Sequence, residues 1–146
     1  AVLIGHLYAL RGDTETASRW LADARQRVAG LAGDRLYVGA QLCVAEATLS
    51  CRQEKYSEAL ALLDREQTKL DSLLQVTAAV EVWVLRAFAM QHMESARSVG
   101  RLEPVLTLLR ARPRGSFDYL AVAWPALRDF LAAHDLAAPD RGSVRA

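Results

Sequence analysis

Residues 4–24 read IGHLYALRGDTETASRWLADA, and residues 54–63 read EKYSEALALL. In the first stretch Gly5, Tyr8, Ala17, Leu21 and Ala24 fall three or four apart on either side of Arg11-Gly12-Asp13, where the helical pattern breaks. This spacing predicts two helices folded against each other. Gly5 lets the second helix approach, Tyr8 fills the groove between the pair, and Ala17 sits where the two backbones come closest. The second stretch, with Ala47 and Ser50 before it, repeats the frame with Ala59 in the role of Ala17, an offset of 42 (59 − 17). A third copy runs through Met93, Ala96, Gly100 and Leu109, with Val105 in the corresponding place at an offset of 46 (105 − 59). Pro104 is assigned to the first turn of that copy's second helix, where a missing N–H is tolerated.

The same reading extends along the chain. Apolar residues recur at helical spacing, good helix formers fill the gaps, and the breaks are short. Helices are expected near 2–11, 14–29, 35–52, 56–70, 75–98, 102–111 and 116–133, the last interrupted at Pro125 because proline disfavours helical geometry at Trp124. Asp13 and Ser116 are the expected N-caps of the helices that follow them. The expected fold is all-α: a right-handed superhelix of antiparallel hairpins, about seven helices in one domain over 1–138. Its hairpins span about 1–30, 35–70 and 75–112, with terminal helices over 116–134 and a flexible tail at 139–146.

The pattern Ile4-Gly5-x2-Tyr8 followed by Ala17-x3-Leu21 resembles the tetratricopeptide (TPR) repeat, with Ala1 where the leading Trp of that repeat stands. The phrases YALRGDTETASRWL, CRQEKYSEALALLDRE, AAVEVWVLRAFAMQ and VGRLEPVLTLLRARP resemble the long-repeat region of MalT-like regulators, large ATP-binding members of the LuxR family. The resemblance covers most of residues 1–112, and Val105 departs from it. It implies a TPR-like α-solenoid that senses an effector and passes the change to other domains of a larger transcriptional regulator. Neither a G-x4-G-K-[ST] phosphate loop nor a helix-turn-helix pattern occurs in these residues.

Composition narrows the function. Eighteen Lys+Arg against seventeen Asp+Glu leave a net charge of +1, so no field draws in nucleic acid or an anionic membrane. The basic residues are Arg except for Lys55 and Lys69, and Asn is absent, a bias of GC-rich bacterial coding. Glu81 and Arg86 interrupt the most apolar run, Val76 to Met90, and the start AVLIGHLYAL lacks a basic leader, so the expected location is the cytoplasm. Cys43 and Cys51 stand about 12 Å apart along one helix, too far for a disulfide, and read as buried thiols.

No nucleophile and base fall at catalytic spacing, and no set of His, Cys and acids falls at metal-ligand spacing, so the expectation is a non-enzymatic protein without metal or cofactor. Arg110, Arg112 and Arg114 either contact phosphate or complement a helix dipole. The better candidate surface is the face lined by the first helix of each hairpin: His6, Ala9 and Leu10; Gln41, Val44, Thr48 and Arg52; Met90, Glu94 and Arg97. Of these, His6, Gln41, Thr48, Arg52, Glu94 and Arg97 carry the polar groups for a small effector or a peptide, whereas Gly5, Tyr8, Gly12, Ala17, Ala47, Ala59 and Gly100 serve packing. The alternative is a TPR scaffold that holds a protein partner. The apolar first helix and the cluster Phe117, Tyr119, Leu120, Val122, Trp124, Leu127, Phe130 and Leu131 lead to exposed apolar area at one end or both, and to possible self-association through the terminal helices.

Overall fold

The structure, a computed structural model, describes residues 1–29, 35–66, 77–93 and 96–139; of 35–37, 77–80 and 96–99 it describes the backbone alone. These residues form seven α-helices and one short 3-10 helix, with no strand among them. The helices are α1 (Val2–Arg11), α2 (Thr14–Ala29), α3 (Arg35–Arg52), α4 (Tyr56–Arg65), α5 (Thr77–His92), α6 (Ala96–Arg110) and α7 (Pro125–Ala133), with the 3-10 helix at Asp118–Ala121. Partners within each hairpin pack together, α1 with α2, α3 with α4 and α5 with α6. The first helices lie side by side, α1 on α3 and α3 on α5, while α2 meets α3 and α4 meets α5. This is a stack of helical hairpins.

The repeated frame has a repeated backbone cause. At the end of α1, Gly12 takes a left-handed φ of 88°, its N–H donates to Ala9 O at 3.0 Å, and the Asp13 N–H donates to Tyr8 O at 3.0 Å. At the end of α3, 42 residues on, Glu54 takes φ 61°, its N–H donates to Cys51 O at 3.1 Å, and the Lys55 N–H donates to Ser50 O at 2.8 Å. Each turn reverses the chain within a few residues and so forces an antiparallel hairpin. Ala17 and Ala59 are both fully buried, as is Ala47, and Tyr8 is half-buried. A Cβ on Gly5 would stand 2.6 Å from Leu21 Cδ2, so α1 approaches α2 closely at that point. Asp13 caps α2, its Oδ1 accepting from the Thr16 N–H at 3.1 Å.

Several expectations are corrected. The second helix of the third hairpin begins at Ala96 rather than near residue 102, so Gly100 lies inside α6, exposed, with nothing within 4 Å of a Cβ placed on it. It marks no helix contact. Pro104 is therefore mid-helix rather than in the first turn, exposed, and the carbonyl it leaves without a helical donor is that of Gly100, whose open side water can reach. The Ser116 hydroxyl caps nothing ahead of it and donates back to Pro113 O at 2.6 Å. At Pro125 the chain breaks as expected: Trp124 adopts φ −134°, ψ 83°, and Pro125 opens α7 at its first position. Beyond Glu66 and beyond Pro139, the last turn assigned to the fourth helix and the tail lie outside the described residues.

Two apolar clusters hold the stack. The smaller joins Leu21 and Ala24 of α2 to Leu42 and Ala45 of α3. The larger runs from α3 to the C-terminal helices and centres on fully buried Phe88, whose ring meets Trp124 (5.2 Å, 71°), Phe130 (5.7 Å, 88°) and Tyr56 (5.9 Å, 70°) edge to face. Phe117, Leu120, Trp124, Leu127, Phe130 and Leu131 are all buried in it, so of the expected C-terminal cluster Tyr119 and Val122 alone stay in solvent. Among the described residues, the other end exposes three large apolar side chains of one helix, Leu3, Ile4 and Leu7, while Trp20, Met93 and Leu108 are exposed singly on other segments.

Candidate functional site

Helices α1, α3 and α5 share one face, and three polar side chains meet on it. Thr48 sits mid-helix, 1% exposed, with its hydroxyl donating to Val44 O at 2.8 Å, the usual way a helix satisfies a buried threonine. Its oxygen also lies 3.5 Å from His6 Nε2 of α1. The same nitrogen lies 3.7 Å from Glu81 Oε2 of α5, so α1 and α5 join hands across α3. The other carboxylate oxygen of Glu81 accepts a hydrogen bond from Tyr119 OH at 2.8 Å. Burial lowers the His6 pKa from its ordinary value while Glu81 pulls it upward; burial and the Glu81 bond raise that of the Tyr119 phenol.

This cluster is not a catalytic relay. A relay needs one imidazole nitrogen for the acid and the other for the nucleophile, whereas here Thr48 and Glu81 both approach Nε2, and the threonine proton is held by Val44 O. What the arrangement offers is a half-buried polar strip of imidazole, carboxylate and phenol, able to exchange hydrogen bonds with a polar ligand.

Arg52, at the C-terminal end of α3, reaches the C-terminal segment. Its Nη1 donates to Ala123 O at 3.2 Å, and its guanidinium lies 4.9 Å from the centre of the Trp124 ring. Its Nη2 fills the space where a Cβ on Gly12 would stand. The segment around Tyr119 to Trp124 thus lies over the face shared by the first helices, and Arg52 fastens it there.

Of the other residues assigned to this face, Gln41 is half-buried; Ala9 and Val44 are core residues, and Leu10 and Met90 pack against the core. Glu94 and the side chain of Arg97 lie outside the described residues. Sequence reasoning missed Glu81, Tyr119 and Trp124. Glu81 had a signal, as the acid interrupting the most apolar run of the chain; the other two, far along the sequence, had none.

Arg86, another interruption of that run, is 8% exposed, pairs with Asp64 of α4 and lies 5.7 Å from the Trp83 ring. Arg110 and Arg114 use their Nε groups to bind His134 O and Ala137 O at 3.2 and 3.1 Å, lashing down the C-terminal stretch of chain. Open concavity lies elsewhere, between α2 and α4 over α3. Two adjoining hollows of ≈ 230 and ≈ 390 Å³ there share Arg25, Glu46 and Leu62, with the Arg25–Glu46 ion pair at their junction.

Among the described residues no three of His, Cys, Asp and Glu are placed to hold a metal ion, and no helix is long and apolar enough to cross a membrane. No protein-family model matches the chain, and no curated protein or solved structure matches it.

Proposed function

We propose that this chain is a non-enzymatic, TPR-like regulatory domain, the sensor region of a cytoplasmic bacterial regulator of the MalT-like, LuxR-family type. It takes an effector on the face shared by α1, α3 and α5 and relays binding to other domains of that regulator. The supporting observation is the polar strip His6, Thr48, Glu81 and Tyr119, in which three successive hairpins and the C-terminal segment each contribute a group. A ligand that rearranges the strip acts on every hairpin at once. No direct contact with nucleic acid or membrane is assigned to this chain, nor any cofactor.

The alternative is a protein-binding scaffold, and the hollows between α2 and α4 favour it, since they combine Leu21, Val28, Leu42 and Leu62 with charged Arg25, Glu46 and Arg65 at the rim. Amide chemical shifts separate the readings. Titration with sugars, amino acids and nucleotides should move the amides of His6, Gln41, Thr48 and Glu81 saturably if the chain is a sensor. Shifts confined to α2 and α4 on addition of peptides support the scaffold and overturn the sensor reading.

A further inference from the structure

The 42-residue frame shows what the exposed first helix is shaped to meet. Moved forward by 42, Leu3, Ile4 and Leu7 fall on Ala45, Glu46 and Leu49. The correspondence is structural as well as numerical, because the turn residues Gly12 and Glu54, the buried pair Ala9 and Cys51, the pair Ala17 and Ala59 and the pair Leu21 and Leu63 all match at that same offset. In the second hairpin, Ala45 is fully buried against Leu21 and Ala24 of α2, with Leu49 and Val28 packed at the edge, and Glu46 pairs with Arg25 of α2. This is the face on which α3 receives the second helix of the preceding hairpin. Among the described residues nothing covers the same face of α1, and Leu3, Ile4 and Leu7 are 69%, 38% and 52% exposed on it.

We infer that this face of α1 is a stacking seam for a further helical hairpin, whose second helix carries an apolar stripe like Leu21, Ala24 and Val28 of α2. The occupant is not a second copy of this chain. In any copy the α2 stripe is already spent on α3, with Leu21 3% and Ala24 1% exposed, and of the other large apolar side chains left in solvent among the described residues, Trp20, Met93, Leu108, Tyr119 and Val122, no two fall on one α-helix to make such a stripe. Three aliphatic side chains in water match instead the chemistry of a neighbour in the same array, because large apolar groups clustered on one face mark an interaction surface. Ile4 in the place of Glu46 indicates that the occupant has an apolar residue where α2 has Arg25. The inference stands apart from the sensor reading and requires only the hairpin frame.

The test extends the full chain with a copy of residues 1–42 joined ahead of Ala1. The added residues 35–42 then run into α1 as they run into the rest of α3, and the frame is kept. A single unfolding transition at raised temperature is expected, with amide exchange across Gly5 to Ala9 slowed by at least about tenfold relative to the unextended chain, and with both effects lost in the Leu3→Gln, Leu7→Gln variant. A separate, lower transition for the added hairpin, with exchange in α1 unchanged, overturns the inference. Should that happen while Leu3→Ala, Ile4→Glu restores stacking, the seam is sound in geometry but its native side chains do not serve it, which also overturns it. Concentration-dependent dimers of the unextended chain, abolished by Leu7→Gln, assign the face to a second copy and overturn it as well.

Discussion

The Arg52 guanidinium stacks on the Trp124 indole, 4.9 Å from the ring centre, while its Nη1 donates to the carbonyl oxygen of the residue before that tryptophan. One side chain of the second hairpin therefore anchors the C-terminal segment. Arg52→Ala should cost about 1–3 kcal/mol, from a charge-assisted hydrogen bond and a half-exposed cation–π contact. Arg52→Lys should recover less than half of it, because an ammonium lacks the planar fork. Urea unfolding of the three proteins checks both figures; equal midpoints for the parent chain and the Arg52→Ala variant would falsify the anchoring role.

The first turn tolerates glycine alone for two separable reasons. Gly12→Ala places a Cβ in the left-handed region, at about 1–2 kcal/mol, and drives it into the Arg52 guanidinium. In a double-mutant cycle with Arg52→Ala, the steric part should vanish and the backbone part remain. The equivalent Glu54 already carries the backbone strain, so Glu54→Gly should raise stability by up to about 1 kcal/mol.

Ala17 and Ala59 are fully buried where their hairpins close. Replacing either by Leu should destabilise by about 1–3 kcal/mol through overpacking. Gly5→Ala should behave alike, since the collision with Leu21 outweighs the roughly 1 kcal/mol gained in helix propensity. Thermal melts that leave any of the three unchanged break the hairpin frame at that site.

Stability should fall as the solution is acidified through 6.5. Burial holds His6 below that ordinary value, and burial together with Arg110 does the same for His134. The unfolded chain therefore binds protons first, so the contribution of both neutral imidazoles is complete above 6.5 and is lost as the pH drops toward their lower folded values. The melting temperature at about pH 5.5 should lie below that at about pH 7.5. His6→Gln with His134→Gln should flatten the slope, and an undiminished slope would show that other groups cause it.

Neither thiol should react while the chain is folded. Cys43 and Cys51 are buried, and burial pushes Cys51 up to about 12, so almost no thiolate exists at neutral pH. Labelling by an aromatic disulfide should proceed at the rate of unfolding. Stoichiometric labelling within seconds in native buffer would contradict this.

Much of the fold was legible because hairpins are local. Gly12, Asp13 and Ala17 announce the first turn within six residues of one another, and Lys55 to Ala59 announce the second. The third turn was misplaced because Gly100 and Pro104 have the composition of a break, yet a helix continues through both where its exposed side lets water replace a hydrogen bond. The site was legible only by halves. His6 and Thr48 follow from the repeat frame, whereas Tyr119 and Trp124 reach the same face from a segment with no repeat signal, and their approach depends on tertiary packing around Phe88.

The anchored C-terminal segment also changes how the chain yields under load. An array held by nearest-neighbour contacts peels from an end, one hairpin at a time. Here bonds from Arg52 to Ala123 and from Tyr119 to Glu81 span 71 and 38 residues, so the last segment bears on the middle of the stack. Pulled by its two ends, such a molecule does not unzip in a staircase. The middle hairpin stays clamped until the segment around Trp124 lifts, and once it lifts the shared core around Phe88 is open, so that hairpin and the C-terminal segment give way together.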